Sequence, residues 1–254
     1  MSLLVLDKVG RRFGALQALK DISLSVAQGE LRAIIGPNGA GKTTLFNLVS
    51  GFFPPSDGTI RFDGQPITAV SPDDLVRRGI IRTFQITQIF LSLSVYANVR
   101  VAVESAMGLN LRPFISRGVR RSVEDRVEEL METVKIAHRA DNIAGELSHG
   151  DQRVVEIAIA LSRAPKLLLL DEPTAGMGDE ETRHMTDLIR RLNKGRGITM
   201  LFVEHDMNIV FDIADRITVL DNGTMLAEGT ASEIVSNPKV QAAYLGDAAP
   251  GQAA

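Results

Sequence analysis

The sequence predicts an α/β fold: a mainly parallel sheet flanked by helices, with an antiparallel β subdomain and a helical subdomain insert. Three observations predict it. A strand, a glycine loop and a helix follow one another around residue 36; a run of four leucines ends in two carboxylates at Asp171 and Glu172; and between about residues 87 and 163 the apolar spacing turns helical.

Short apolar runs punctuated by turns fill the first third of the chain. Residues 3–6, 22–26, 31–35 and 59–62 read as strands, with Ser56-Asp57-Gly58 as a tight turn. Behind the strand at 31–35 lies Gly36-Pro37-Asn38-Gly39-Ala40-Gly41-Lys42-Thr43, which fits G-x-x-x-x-G-K-[ST] at every fixed position. Chance would produce that in a chain of this length on the order of one time in a hundred. Glycines let backbone N–H groups point inward as a nest for an anion, and the helix that starts near Lys42 adds its positive end. Lys42 supplies a point charge for β- and γ-phosphates, and the Thr43 hydroxyl a ligand for Mg²⁺. With Thr44 opening the buried helix, Gly36 to Thr44 form the ATP-binding loop of a phosphate-loop NTPase core.

In the insert, Val123, Val127, Leu130, Met131 and Val134 recur at threes and fours, with Glu124, Asp125, Glu128 and Glu129 on the other face. Strands return at residues 167–170, 200–203 and 217–220. The leucine strand is apolar on both faces, as the middle of a parallel sheet requires. Ligands of such sheets lie at the carboxyl ends of strands, so Asp171 approaches the magnesium through a water and Glu172 polarises the water that attacks the γ-phosphate. Asn222-Gly223 between two apolar runs marks a hairpin, because both turn positions need positive φ. The expected organisation is one domain over 1–246, with the core at about 1–86 and 164–246, the helical subdomain at about 87–163, and a disordered tail over 247–254.

Composition narrows the function classes. With 254 residues and 44% hydrophobic content, one large core is affordable. A formal charge of −3 argues against bulk nucleic-acid binding. The absence of cysteine excludes disulfides and thiolate metal sites. No signal-peptide pattern opens the sequence and no apolar stretch nears the roughly 20 residues needed to cross a bilayer, so any membrane link is expected to come through a partner.

Further segments fall into a fixed order. Gln85 ends Ile81-Arg82-Thr83-Phe84-Gln85; Leu147-Ser148-His149-Gly150-Asp151-Gln152 precedes an apolar helix; Asp171-Glu172-Pro173-Thr174 follows the leucines; and His205 ends Phe202-Val203-Glu204-His205. Over nearly its whole length the chain resembles the nucleotide-binding subunit of ATP-binding cassette (ABC) transporters, with residues 147–152 as the decisive segment. The resemblance implies a head-to-tail dimer closing on two ATP molecules. It implies that the signature residues Ser148, His149, Gly150 and Asp151 act on the partner's ATP, Ser148 and Gly150 through its γ-phosphate. Gln85 becomes the glutamine that senses Mg²⁺, His205 the switch histidine at the γ-phosphate, and Phe13 the aromatic on adenine. Glu172, His205, Gln85 and Lys42 form the implied catalytic set; Thr43, Gln85 and Asp171 form the metal set.

Departures stand out. His149 and Asp151 replace the commonest glycine and glutamine of the signature, and Gly178 replaces an aspartate after Pro173-Thr174. Loss of that aspartate would weaken communication across the dimer, whereas Ser148 and Gly150 are intact.

Ser148 to Arg153, Ala175-Gly176-Met177 and Ala243-Tyr244-Leu245-Gly246 resemble the ATPases of high-affinity branched-chain amino-acid importers, whose relatives carry urea or short amides. Residues 107–122, with Arg112, Arg117, Arg120 and Arg121, read equally as a permease contact or a solvated basic loop. The implied partners are a second cassette, identical or paralogous, two membrane permease subunits, and indirectly an extracytoplasmic solute-binding protein. The implied location is the cytoplasmic face of the membrane, peripherally held. An exporter cassette shares this chemistry. Ribosome-acting cassettes carry two cassettes per chain and DNA-repair cassettes carry long coiled-coil inserts, and neither feature is present.

Overall fold

The computed structural model describes residues 2–83, 89–109 and 116–245. Along it run β1 (Ser2–Phe13), β2 (Leu16–Ala27), β3 (Leu31–Ile35), α1 (Lys42–Val49), β4 (Asp57–Phe62), β5 (Gln65–Pro66), α2 (Pro72–Arg78) and β6 (Ile80–Arg82). There follow α3 (Val95–Ala106), α4 (Arg117–Val134), α5 (His149–Leu161), β7 (Leu167–Asp171), α6 (Asp179–Arg196) and β8 (Thr199–Val203). The chain continues through α7 (Met207–Ile213), β9 (Arg216–Asp221), β10 (Thr224–Gly229), α8 (Ala231–Val235) and α9 (Pro238–Val240).

Two sheets organise these elements. One is antiparallel, ordered β2-β1-β4-β5; the other is ordered β10-β9-β3-β8-β7-β6, parallel except for its β10 edge. The six-stranded sheet is the middle layer. On β7, Leu168 and Leu170 enter a core shared with α3 to α6, while Leu167 and Leu169 enter a second core shared with α1 and the antiparallel sheet. Each fully buried leucine contributes about 1.5–3 kcal/mol, so alternate side chains of one strand clamp both layers.

Several expectations are adjusted. β1 extends well beyond residues 3–6, because Asp7, Lys8 and Arg12 are exposed positions of a half-buried strand. Asp57 and Gly58 lie inside β4, at a shift in its pairing with β1, and form no separate turn. Gly58 is required there: φ is 80° and a Cβ would stand 2.3 Å from the Lys8 carbonyl oxygen. α4 starts at Arg117, capped by the Ser116 hydroxyl, which accepts from the Val119 amide. Arg117, Arg120 and Arg121 are therefore helical and exposed; Arg112 lies outside the described residues. So do Gln85 and the tail over 247–254.

Candidate functional site

The glycine loop leaves the carboxyl end of β3 and enters α1 at Lys42. Gly41, the residue before the helix, has φ 103°, and a Cβ there would stand 2.5 Å from Leu19 Cδ2. At Gly36 a Cβ would strike the Leu220 carbonyl oxygen at 2.1 Å. Glycine is thus dictated at both ends of the loop by β2 and β9. Lys42 turns back inside the loop, its ammonium donating to the carbonyls of Gly36 at 2.6 Å and Pro37 at 3.0 Å. Burial pulls its pKa below the ordinary lysine value, opposed by the charges of Glu172 and Asp171.

Those two carboxylates come from the end of β7. Glu172 has φ 48°, a left-handed conformation costing of order 1–3 kcal/mol for a non-glycine residue. Its amide donates to the Val203 carbonyl at 3.0 Å, which fixes the turn. Its Oε1 lies 3.0 Å from His205 Nε2, beyond the end of β8. Phe13, the last residue of β1, packs edge-on against Phe53 with centroids 5.3 Å apart, and the Arg11 guanidinium lies 4.6 Å from its ring. Phe13, Asn38 to Thr44, Glu172 and His205 together line one cleft of about 450 Å³. Segments far apart in sequence thus converge at the carboxyl ends of β3, β7 and β8, the usual position for a ligand of a parallel sheet.

Asp171 lies behind this cleft. Arg82, at the end of β6, donates to Asp171 Oδ2 at 2.8 Å, to Asn47 Oδ1 at 2.6 Å and to Ser50 Oγ at 3.3 Å. It ties α1, β6 and β7 together three residues before Gln85.

The signature segment is elsewhere. Ser148 is the N-cap of α5, accepting from the Asp151 amide at 3.2 Å, and His149, Gly150 and Asp151 form the first turn. None of the four lines the nucleotide-loop cleft.

Some participants carry no motif. Glu204 is buried, 3% exposed, and accepts from the Thr174 amide at 2.9 Å, the Thr174 hydroxyl at 2.6 Å and the His205 amide at 3.2 Å. It locks the segment after β7 to the end of β8. Asn222-Gly223 forms the expected hairpin turn and also backs the loop: the Gly223 amide donates to the Ala40 carbonyl at 3.1 Å. The only sequence signal for Glu204 was a charged residue at the end of an apolar strand; Arg82 shared that signal.

The donor set fits a magnesium-bound triphosphate. The loop brings the Lys42 ammonium and the Thr43 hydroxyl to the cleft, and Thr43, with Asp171 behind it, carries the hard oxygen ligands that Mg²⁺ prefers. Among the described residues no three His, Asp or Glu side chains gather into a metal cage.

Comparison with known proteins gives a family. The ABC transporter family model matches residues 19–175, and a model of the branched-chain amino acid ATP-binding cassette transporter matches residues 224–250. The chain is 38% identical over 252 residues to the high-affinity branched-chain amino acid transport ATP-binding protein LivG of Salmonella typhimurium, covering 97% of this chain and 98% of LivG. It is 39% identical over 242 residues to BraF of Pseudomonas aeruginosa, which bears the same description, covering 93% and 95%. Among solved structures, the ADP conformation of MJ1267, an ATP-binding cassette of an ABC transporter, superposes with a TM-score of 0.83 at 33% identity, covering 97% of this chain and 100% of MJ1267. A dimeric post-hydrolysis state of the cassette MJ0796 bound to ADP and Pi gives 0.74 at 26% identity, covering 90% and 98%.

Proposed function

This chain belongs to the ABC transporter family and is an ATPase of that family; from that premise we propose that it is the peripheral, ATP-hydrolysing cassette of a branched-chain amino-acid importer. The observation that carries the ATPase reading is the convergence of Lys42, Glu172 and His205 on one cleft. The names of the similar proteins and the match at residues 224–250 support the solute class.

In this reading the loop amides and Lys42 hold the β- and γ-phosphates, and Phe13 stacks on adenine. The Glu172 carboxylate accepts the proton of the attacking water, with His205 Nε2 steadying it from 3.0 Å. Thr43, Gln85 and Asp171 would hold Mg²⁺, Asp171 through a water. When bound, that ion neutralises charge on the β- and γ-oxygens. Arg82 holds Asp171, and Glu204 joins the segments that carry Glu172 and His205.

Ser148, His149, Gly150 and Asp151 meet the ATP of a second cassette, identical or paralogous, arranged head to tail. Closing the pair moves two permease subunits in the membrane, to which an extracytoplasmic binding protein delivers solute. Coupling is limited by the preference of nucleotide for the closed pair. The cassette itself works at the cytoplasmic face, and no nucleic acid takes part.

Reconstitution with its permeases and binding protein tests the whole reading. The parent complex is expected to drive ATP-dependent leucine uptake. Glu172→Gln is expected to slow hydrolysis by roughly 10² to 10⁴ while retaining ATP affinity. Near-normal turnover in that variant would refute the role of Glu172, and uptake of urea but not leucine would overturn the solute.

A further inference from the structure

The first turn of α5 is already engaged by an anion belonging to this chain. Glu181, in the first turn of α6, accepts the Gly150 amide on Oε1 at 3.3 Å and the Gly178 amide on Oε2 at 3.3 Å. The Ser148 side chain lies against the same carboxylate. This approach depends on a missing side chain, since a Cβ at Gly150 would stand 2.9 Å from Glu181 Oε1. The contacts hold the Glu181 carboxyl below its usual range, the Ser148 hydroxyl first among their causes.

A carboxylate and a terminal phosphoryl group present the same chemistry to a helix start: oxygens carrying negative charge, facing N–H and O–H donors. We infer that Glu181 is an internal competitor for the signature turn, so that the γ-phosphate carried by the partner cassette docks only after this carboxylate has swung away. The inference rests on the reading that Ser148 and Gly150 receive the partner's nucleotide. A place for the displaced side chain exists alongside. A cavity of about 590 Å³ opens beside Glu181, and its lining sets Lys135, Arg139 and Arg191 against Asp151 and Asp187.

Competition of this kind multiplies the affinity of the pair by the fraction of molecules whose turn is open. A minor state held at about 0.1–10% lowers apparent affinity at least tenfold. The test uses the full chain carrying Glu172→Gln, with its ATP-dependent self-association measured by sedimentation in Mg-ATP. Adding Glu181→Gln keeps an oxygen for the donors but removes the charge, and is expected to tighten association about tenfold or more. Asp179→Asn removes the same charge from the exposed end of α6 and is expected to leave association near the parent value. Association unchanged or undetectable with Glu181→Gln overturns the competition, as does equal tightening by Asp179→Asn. Ser148→Arg separates the two layers of the argument. If association survives Ser148→Arg, the pairing of cassettes through this turn fails; if it is abolished while Glu181→Gln changes nothing, only the competition fails.

Discussion

Truncating Glu204 to alanine would strand three donors at once: the Thr174 amide, the Thr174 hydroxyl and the His205 amide. Buried donors without acceptors cost about 1–3 kcal/mol. The expected result is a loss of that order in urea unfolding, together with slower hydrolysis, since Glu172 and His205 sit on the two segments that Glu204 joins. Stability equal to the parent would show that this carboxylate does not hold the site. Glu204 also marks where the sequence stops being legible. Lys42 and Glu172 were readable because their neighbours in the chain are their partners in the motif. Glu204, Arg82 and Glu181 act on segments remote in sequence, and no local pattern encodes such pairings.

At the scale of elements, the periodic faces were legible and the edges were not. α4 is legible from Val123 onward because Val123, Val127, Leu130, Met131 and Val134 face the core, but its first two turns carry arginines and a glycine. Only the Ser116 cap announces them. The other end of α4 stops at Lys135 with φ 62°, a left-handed position that costs a side-chain-bearing residue about 1–2 kcal/mol. Glycine removes that cost and returns about 0.5–1 kcal/mol through the entropy of the unfolded chain. Lys135→Gly is therefore expected to be stabilising by up to about 1 kcal/mol, a rise in melting temperature of about 2–4 °C. A fall would show that the lysine side chain makes a contact worth more than the strain. The long first hairpin was legible only in part for the same reason as α4, since its exposed rows look like loop.

The whole molecule is a sheet held between two cores, and the leucines of β7 made that arrangement readable: a strand apolar on every residue has no face for water. What the sequence did not disclose is how the far end of the fold reaches back to the nucleotide loop. Asn222-Gly223 marks only a link between two strands in the sequence. In the fold its Gly223 amide donates to Ala40, the Lys20 amide donates to the Gly223 carbonyl, and a Cβ on Gly223 would stand 2.6 Å from the Ala18 carbonyl oxygen. Overpacking of this kind costs about 1–3 kcal/mol. Gly223→Val is expected to weaken ATP affinity by a comparable amount in titration calorimetry, although it removes no group that touches phosphate; unaltered affinity would mean the turn is a bystander. Random mutagenesis scored on nucleotide retention should then return hits clustered at a bend beyond every recognised motif, and a survey restricted to those motifs would pass such variants as harmless.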